Sequence, residues 1–168
     1  MANLNFDTAR LHLRQLTPRD LSDFYNLISD PIIKKYFRYG DSFGEVAESI
    51  ISLPATEDNA IKLGIFSKYT NQLIGYISGS NLSHGELLTE FFIGKYFREQ
   101  HYALEVLNSF FNFCHSKGYN CFRFAIEDGN IASLKLLQHF PITHYPEEDF
   151  NSKVETNRHF NVYKLYYC

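Results

Sequence analysis

The chain has 168 residues and a mass of 19.6 kDa, the size of one ordinary domain. Such a domain buries roughly 70% of its unfolded surface and needs no disulfide or metal to fold. Sixteen Lys and Arg against 19 Asp and Glu give a net charge of −3, which argues against a non-specific nucleic-acid binder but leaves room for a local anion site. Its 16 Phe and 12 Tyr without a single Trp are the unusual part of a composition that otherwise fits a soluble globule.

In chain order, Leu11 and Leu13 alternate with polar residues like a short half-buried strand. Thr17-Pro18-Arg19-Asp20 reads as a helix start, with Leu21, Phe24, Leu27 and Ile28 on one apolar face. Asp30-Pro31 interrupts that helix, and a second helix runs from Phe43 to Leu53 with Val46, Ile50 and Ile51 inward. Ile61–Ser67 and Leu73–Ser80 form a hairpin, and Leu87–Gly94 is a third strand after the Ser83-His84-Gly85 turn. From about Gln100 to Lys117 the period changes to 3.6, with Ala103, Val106, Leu107, Phe110, Phe111 and Cys114 on one stripe and Gly118 as the stop. Cys121–Ile126 is a buried strand, and Asn130–Phe140 is a helix with Ile131, Leu134, Leu137 and Phe140 aligned. Two β runs close the chain, around Ile142–Phe150 and Arg158–Tyr167. The order β-α-α-β-β-β-α-β-α-β-β implies an α/β unit over residues 1–168, a mixed sheet with helices on both faces. The closing runs complete this sheet or pair with a second copy as a homodimer.

The segment Met1–Asp7 lacks the basic and apolar parts of a secretory signal, and no stretch approaches the ~20 apolar residues of a membrane helix. Cys114, Cys121 and Cys168 are an odd set without metal-ligand spacing. Both features lead us to expect a cytoplasmic protein with reduced thiols and no membrane partner. The apolar neighbours of Cys114 favour an inert packed thiol over a nucleophile. The seven histidines include no i, i+4 pair on one helix, so no metal is expected.

Chemistry concentrates at the strand-to-helix junction Phe91–Leu107. A loop entering a helix aims free amides outward, a ready site for a phosphate or pyrophosphate; a solvated helix start without a ligand is the alternative. Thirty residues on comes Asn130-Ile131-Ala132-Ser133. Together with Thr8-Ala9-Arg10-Leu11-His12-Leu13-Arg14, Phe92-Ile93-Gly94-Lys95, Glu105 and Tyr163-Lys164-Leu165, these stretches resemble the GNAT superfamily of acyl-CoA-dependent N-acetyltransferases. Within it, the chain is similar to the ribosomal-protein N-terminal acetyltransferase type over nearly its whole length.

The resemblance implies a mostly antiparallel mixed sheet in which two parallel strands splay into a V that receives acetyl-CoA as cosubstrate, with no metal. By that resemblance, the Phe92 and Ile93 backbone pairs with the pantetheine arm. Arg98, Glu99, Gln100, His101, Tyr102 and Ala103 form the pyrophosphate loop. Asn130 bonds the pantetheine region, and the Ser133 hydroxyl serves the departing thiolate. The family loop has the form Arg-x-x-Gly-x-Ala, but here His101 occupies the glycine position and Glu99 another position that is commonly glycine. Glycine suits a close approach to phosphates and a positive φ. Two readings follow: an N-acetyltransferase, or a catalytically impaired binding or regulatory module with a degenerate loop. Pro141 replaces the glycine of a family Gly-Phe pair. Leu137 stands where many relatives place a tyrosine acid, leaving Ser133 near the sulfur.

An acceptor amine with a pKa near ~10 must lose a proton before it attacks. Glu90, alternating with Phe92, is the candidate base, against a solvent-facing carboxylate; Glu127-Asp128 offers acids at a strand end, against a helix-capping role. The run Lys34-Lys35-Tyr36-Phe37-Arg38-Tyr39 has the composition of a single-strand nucleic-acid platform but is short and isolated in an acidic chain. By the resemblance it borders the acceptor, with Tyr36, Phe37 and Tyr39 lining a pocket; core packing of Phe37 is the alternative. The acceptor implied is a protein N-terminus or a small amine.

Overall fold

The computed structural model describes residues 4–37, 43–52, 60–83, 85–146 and 158–167. The expectations for Met1–Asn3, Arg38, Tyr39, Leu53, His84, residues 147–150 and Cys168, and for the Val46 side chain, lie outside the described residues.

The elements are β1 (Asn5–Asp7), β2 (Leu11–Arg14), α1 (Leu21–Ile28), α2 (Pro31–Tyr36), α3 (Phe43–Ser52), β3 (Ala60–Ser67), β4 (Leu73–Ser83), β5 (Glu86–Ile93), α4 (Tyr102–His115), β6 (Cys121–Glu127), α5 (Ile131–Leu137), β7 (Thr143–Tyr145) and β8 (Phe160–Tyr166). Among the described residues they build one eight-stranded sheet in the order β1-β2-β3-β4-β5-β6-β8-β7. Every neighbouring pair is antiparallel except β5–β6. Both closing strands enter the chain's own sheet: β8 lies between β6 and β7.

Two apolar clusters flank the sheet. Val106, Leu107, Phe110, Phe111 and Cys114 of α4 are at most 1% exposed and pack with Phe122, Phe124 and Leu137. On the other face, Phe24 and Ile28 of α1 pack with Ile33, Phe66, Tyr76 and Phe92. Each fully buried side chain contributes roughly 1.5–3 kcal/mol relative to exposure, so the α4 stripe is a principal anchor of the fold. Burial pushes the Cys114 thiol pKa well up, in keeping with a packed, inert sulfur. Gly94 lets the chain leave β5 beneath α1, because a Cβ there would lie 2.6 Å from Leu27 Cδ2.

Three local expectations change. The Asp30-Pro31 pair starts a helix as well as ending one: Asp30 Oδ1 accepts the Ile32 amide at 2.8 Å, and Pro31 opens α2. The short β1 pairs with β2, adding a strand at the edge. In α5, Ile131 is 55% exposed, so the inward face is carried chiefly by Leu137.

At the entry to α1, Thr17 is the N-cap of the turn Pro18–Asp20, in a capping box whose other member is Asp20. Asp20 Oδ2 accepts from both Thr17 N and Thr17 Oγ1 at 2.8 Å, while both carboxylate oxygens take the Arg14 guanidinium at 2.8 and 2.9 Å. Hydrogen bonding from Arg14 outweighs burial and lowers the Asp20 pKa from 3.8 to about 2. A depressed carboxylate pKa stabilises the fold above the unfolded value and loses that contribution as pH falls through the folded one. The stability gap between wild type and Asp20→Asn should therefore shrink by about 2 kcal/mol between pH 6 and pH 2. Urea unfolding across that range measures it, and a pH-independent gap would refute the assignment.

Candidate active site

Parallel pairing between β5 and β6 spans only Glu86↔Cys121, Leu87↔Phe122 and Leu88↔Arg123. Beyond these rungs the strands separate, leaving Thr89–Ile93 facing Phe124–Ile126 across a V. Charge pins the closed end: Arg123 Nε donates to Glu86 Oε1 at 2.6 Å, and Lys164 Nζ of β8 lies 3.8 Å from the same oxygen. A cleft of about 670 Å³ passes through the open end. It reaches α4 and α5 on one face of the sheet and α2 on the other.

Side-chain alternation divides β5 between these faces. Phe91 and Ile93 pack with the α4 cluster, whereas Phe92 packs with α1 and α2. Glu90 shares the face of Phe92, lines the cleft, and contributes to raising the Tyr76 pKa, although burial of Tyr76 is the larger cause. Phe37 does both things considered for it: it lines the cleft and packs edge-on against Phe92 with ring centroids 4.8 Å apart. Tyr36 also lines the cleft, and its hydroxyl donates to Gly129 O at 3.2 Å.

The loop from β5 into α4 supplies the second part. Glu99 and His101 have φ of +62° and +61°. Both lie in the left-handed region, where glycine is at ease and other residues cost of order 1–3 kcal/mol. The two positions where glycine was missed from the sequence are thus the two that adopt its conformation. His101 is the N-cap of α4 and makes no side-chain capping bond. The first-turn amides of α4 have no intrahelical acceptor, and Tyr102, Ala103 and Leu104 of that turn line the cleft. Glu99, His101, Tyr102 and Ala103 line the cleft; Gln100 is exposed, and its side chain donates back to Tyr96 O at 3.3 Å.

The loop is held at both ends. Arg98 Nε donates to Ile93 O at 3.0 Å, and Arg98 Nη2 to Asp30 Oδ2 at 2.7 Å. The expected anion-binding guanidinium is therefore paired with a carboxylate that is only 10% exposed, and it fixes the loop's shape. At the other end, Glu105 accepts from Thr8 Oγ1 (2.5 Å), Arg10 N (2.9 Å) and Arg10 Nε (2.7 Å). Burial would raise the Glu105 pKa, but the bonds from Thr8 and Arg10 prevail and lower it. The Arg10 guanidinium also stacks 4.3 Å from the Tyr102 ring centroid.

On the far side of the V, the side chain of Asn130 caps α5 by accepting the Ser133 amide at 3.3 Å, and both residues line the cleft. The acids Glu127 and Asp128 do not cap α5: Glu127 pairs with Arg158, and Asp128 accepts from Asn161 at 2.5 Å. Leu137, at the position of the missing tyrosine, is fully buried in the core. Lys135 of α5 and His139, two residues beyond its end, also line the cleft and were not singled out for the site from the sequence. Their i, i+4 spacing beyond the Asn130–Ser133 box was the available signal. His139 Nδ1 lies 3.1 Å from Leu136 O, so this nitrogen donates and Nε2 is left as the second functional atom.

A splayed parallel pair, a left-handed loop opening a helix and an Asn-capped helix opposite define an acyltransferase of the GNAT class. The family model described as acetyltransferase (GNAT) domain matches residues 10–140, and the chain belongs to that family. It is an N-acetyltransferase by that membership.

Solved structures share the fold. RimL, a ribosomal L7/L12 α-N-protein acetyltransferase in complex with coenzyme A, superposes with a TM-score of 0.82 at 14% identity, covering 95% of this chain and 96% of that one. An acetyltransferase from Salmonella typhimurium that modifies the N-terminal serine of L7/L12 gives 0.80 at 15% identity, with 96% and 97% covered. The microcin C7 self-immunity acetyltransferase MccE, in complex with acetyl-CoA and AMP, gives 0.77 at 15%, with 94% and 93% covered. No curated protein sequence matches the chain. Among the described residues no helix is long and apolar enough to cross a membrane, and no three His, Cys, Asp or Glu side chains group as a metal site.

Proposed function

We propose that the cleft transfers acetyl from acetyl-CoA to a primary amine, with a protein N-terminus as the acceptor class suggested by the RimL-type neighbours and a small amine as the other. The observation that carries this reading is the three-rung β5–β6 pairing, which leaves the β6-facing edge of Thr89–Phe92 unpaired with β6, while Ile93 O is held by Arg98. An extended pantetheine arm fits such an edge as an added strand would, through the Phe92 and Ile93 backbone. The amides of residues 99–103 fit a pyrophosphate, and the Asn130 side chain the pantetheine amides.

Acetyl-CoA, when bound, supplies the activated thioester. Glu90, on the α2 face, takes the proton of the acceptor ammonium directly or through one water. The free amine nitrogen would form the new C–N bond as the C–S bond breaks, and the Ser133 hydroxyl would donate to the departing thiolate and take in return the second proton that the nitrogen loses on becoming an amide. The apolar wall of Phe37 and Phe92 excludes water from the acceptor side. The mass balance is one acetyl gained by the amine and one thiol released.

Calorimetry with CoA and thiol release in the presence of amines and N-terminal peptides test the reading; no CoA binding at millimolar concentration would remove it. Ser133→Ala should slow acetyl transfer roughly 10²-fold with CoA affinity nearly unchanged, and wild-type turnover in that variant would reassign the thiolate role.

A second reading, a binding or regulatory module with impaired turnover, draws on the Glu99 carboxylate in the loop. A negative charge there repels phosphates, and replacing Glu99 and His101 together by glycine removes both the charge and the left-handed strain. On the module reading, the double variant should bind CoA at least tenfold more tightly. Unchanged or weaker binding would count against a degenerate loop and leave the enzyme reading in place.

A further inference from the structure

The helix α2 has six residues, too few to persist without tertiary support. It is fixed at both ends to opposite arms of the V. At its N-terminus, Asp30 divides its two oxygens: Oδ1 accepts the Ile32 amide at 2.8 Å and caps α2, and Oδ2 accepts Arg98 Nη2 at 2.7 Å. Arg98 also holds Ile93 O, the last residue of β5, so one carboxylate joins α2 to the β5 arm and to the loop. At its C-terminus, Tyr36 donates to Gly129 O, and Arg158, paired with Glu127 at the end of β6, donates to Lys35 O at 2.7 Å. The helix is thus a strut across the mouth of the V, carrying Ile33, Tyr36 and Phe37 along the cleft.

We infer that Asp30 is a positioning residue that couples the α2 wall, on the acceptor side, to occupancy of the β5–α4 loop. This rests on the reading of that loop as the CoA diphosphate site. A ligand that fixes the loop fixes Arg98, Arg98 holds Asp30, and Asp30 holds the first turn of α2. The dependence is reciprocal, because a link that orders α2 when the loop is filled also favours the filled loop when α2 is ordered.

Asp30→Asn separates the two functions of this side chain, since Asn remains a good N-cap but loses the ion pair. In the wild type, CoA should slow amide hydrogen exchange in residues 31–37. In Asp30→Asn, CoA should bind about tenfold more weakly, the scale of one charge-assisted hydrogen bond, and its protection of residues 31–37 should vanish while protection of residues 99–104 persists. Arg98→Gln approaches the same link from the other side and should reproduce both effects, and the double variant should be no worse than either single one. A purely structural role for Asp30 would lower the melting temperature without making α2 exchange depend on CoA. Wild-type CoA affinity, or retained CoA-dependent protection of α2, in folded Asp30→Asn and Arg98→Gln would overturn the coupling alone. A wild type that does not bind CoA would overturn the coupling together with the functional reading on which it rests.

Discussion

The shape of the loop between β5 and α4 is imposed from outside. Two of its residues, Glu99 and His101, sit in a left-handed conformation that neither favours. What holds them there are two half-buried carboxylates, Asp30 ahead of α2 and Glu105 in the first turn of α4. Asp30 grips Arg98 at the start of the loop, and Glu105, seated by Thr8 and Arg10, fixes the first turn of α4 at its end. Charge-assisted bonds of this kind contribute roughly 1.5–3 kcal/mol each, enough to offset strain of that size. Loss of either anchor leaves a loop free to relax, and with it the direction of the α4 amides.

The rest of the site depends on that loop remaining beside an opened sheet. The Glu86, Arg123 and Lys164 charges gather at the closed end of the β5–β6 pair, while the open end carries Glu90 and Phe92 on one face and the α4 junction on the other. A single cleft therefore reaches both faces of the sheet, which suits a reaction in which two substrates meet end to end. The α1–α2 face is aromatic, built on Phe24, Tyr76 and Phe92 in mutual ring contact with Phe37 edge-on against Phe92. Much of the Phe and Tyr excess in the composition resides in this wall and in the Phe110, Phe111, Phe122 and Phe140 contacts beneath α4 and α5.

Long periodic elements were legible in the sequence because their burial repeats. The α4 stripe, β3 and β6 lie within a residue or two of where the pattern puts them, and β4 runs three residues longer. The loop was legible in a different way: glycine is the usual residue at these two positions because it suits a positive φ, and φ at Glu99 and His101 is positive. Short elements were not. Three residues of β1 carry no period, and Pro31 reads as a breaker unless the preceding Asp is recognised as a cap for a new helix. The Arg98–Asp30 pair was not legible, because the two residues lie 68 positions apart and no local spacing encodes it. Ile131 was placed inward by helical phase, but in the first turn of a seven-residue helix that phase faces solvent.

On the proposed function, the gap between Thr89–Ile93 and Phe124–Ile126 and the left-handed loop beside it form one cosubstrate site. A crystal structure of the protein grown with CoA tests it most directly. The expected density is an extended pantetheine chain along the Phe92–Ile93 backbone, with its diphosphate on the amides of residues 99–103 and its sulfur within reach of Ser133. CoA bound elsewhere on the surface, or a V left empty at saturating CoA, would contradict it.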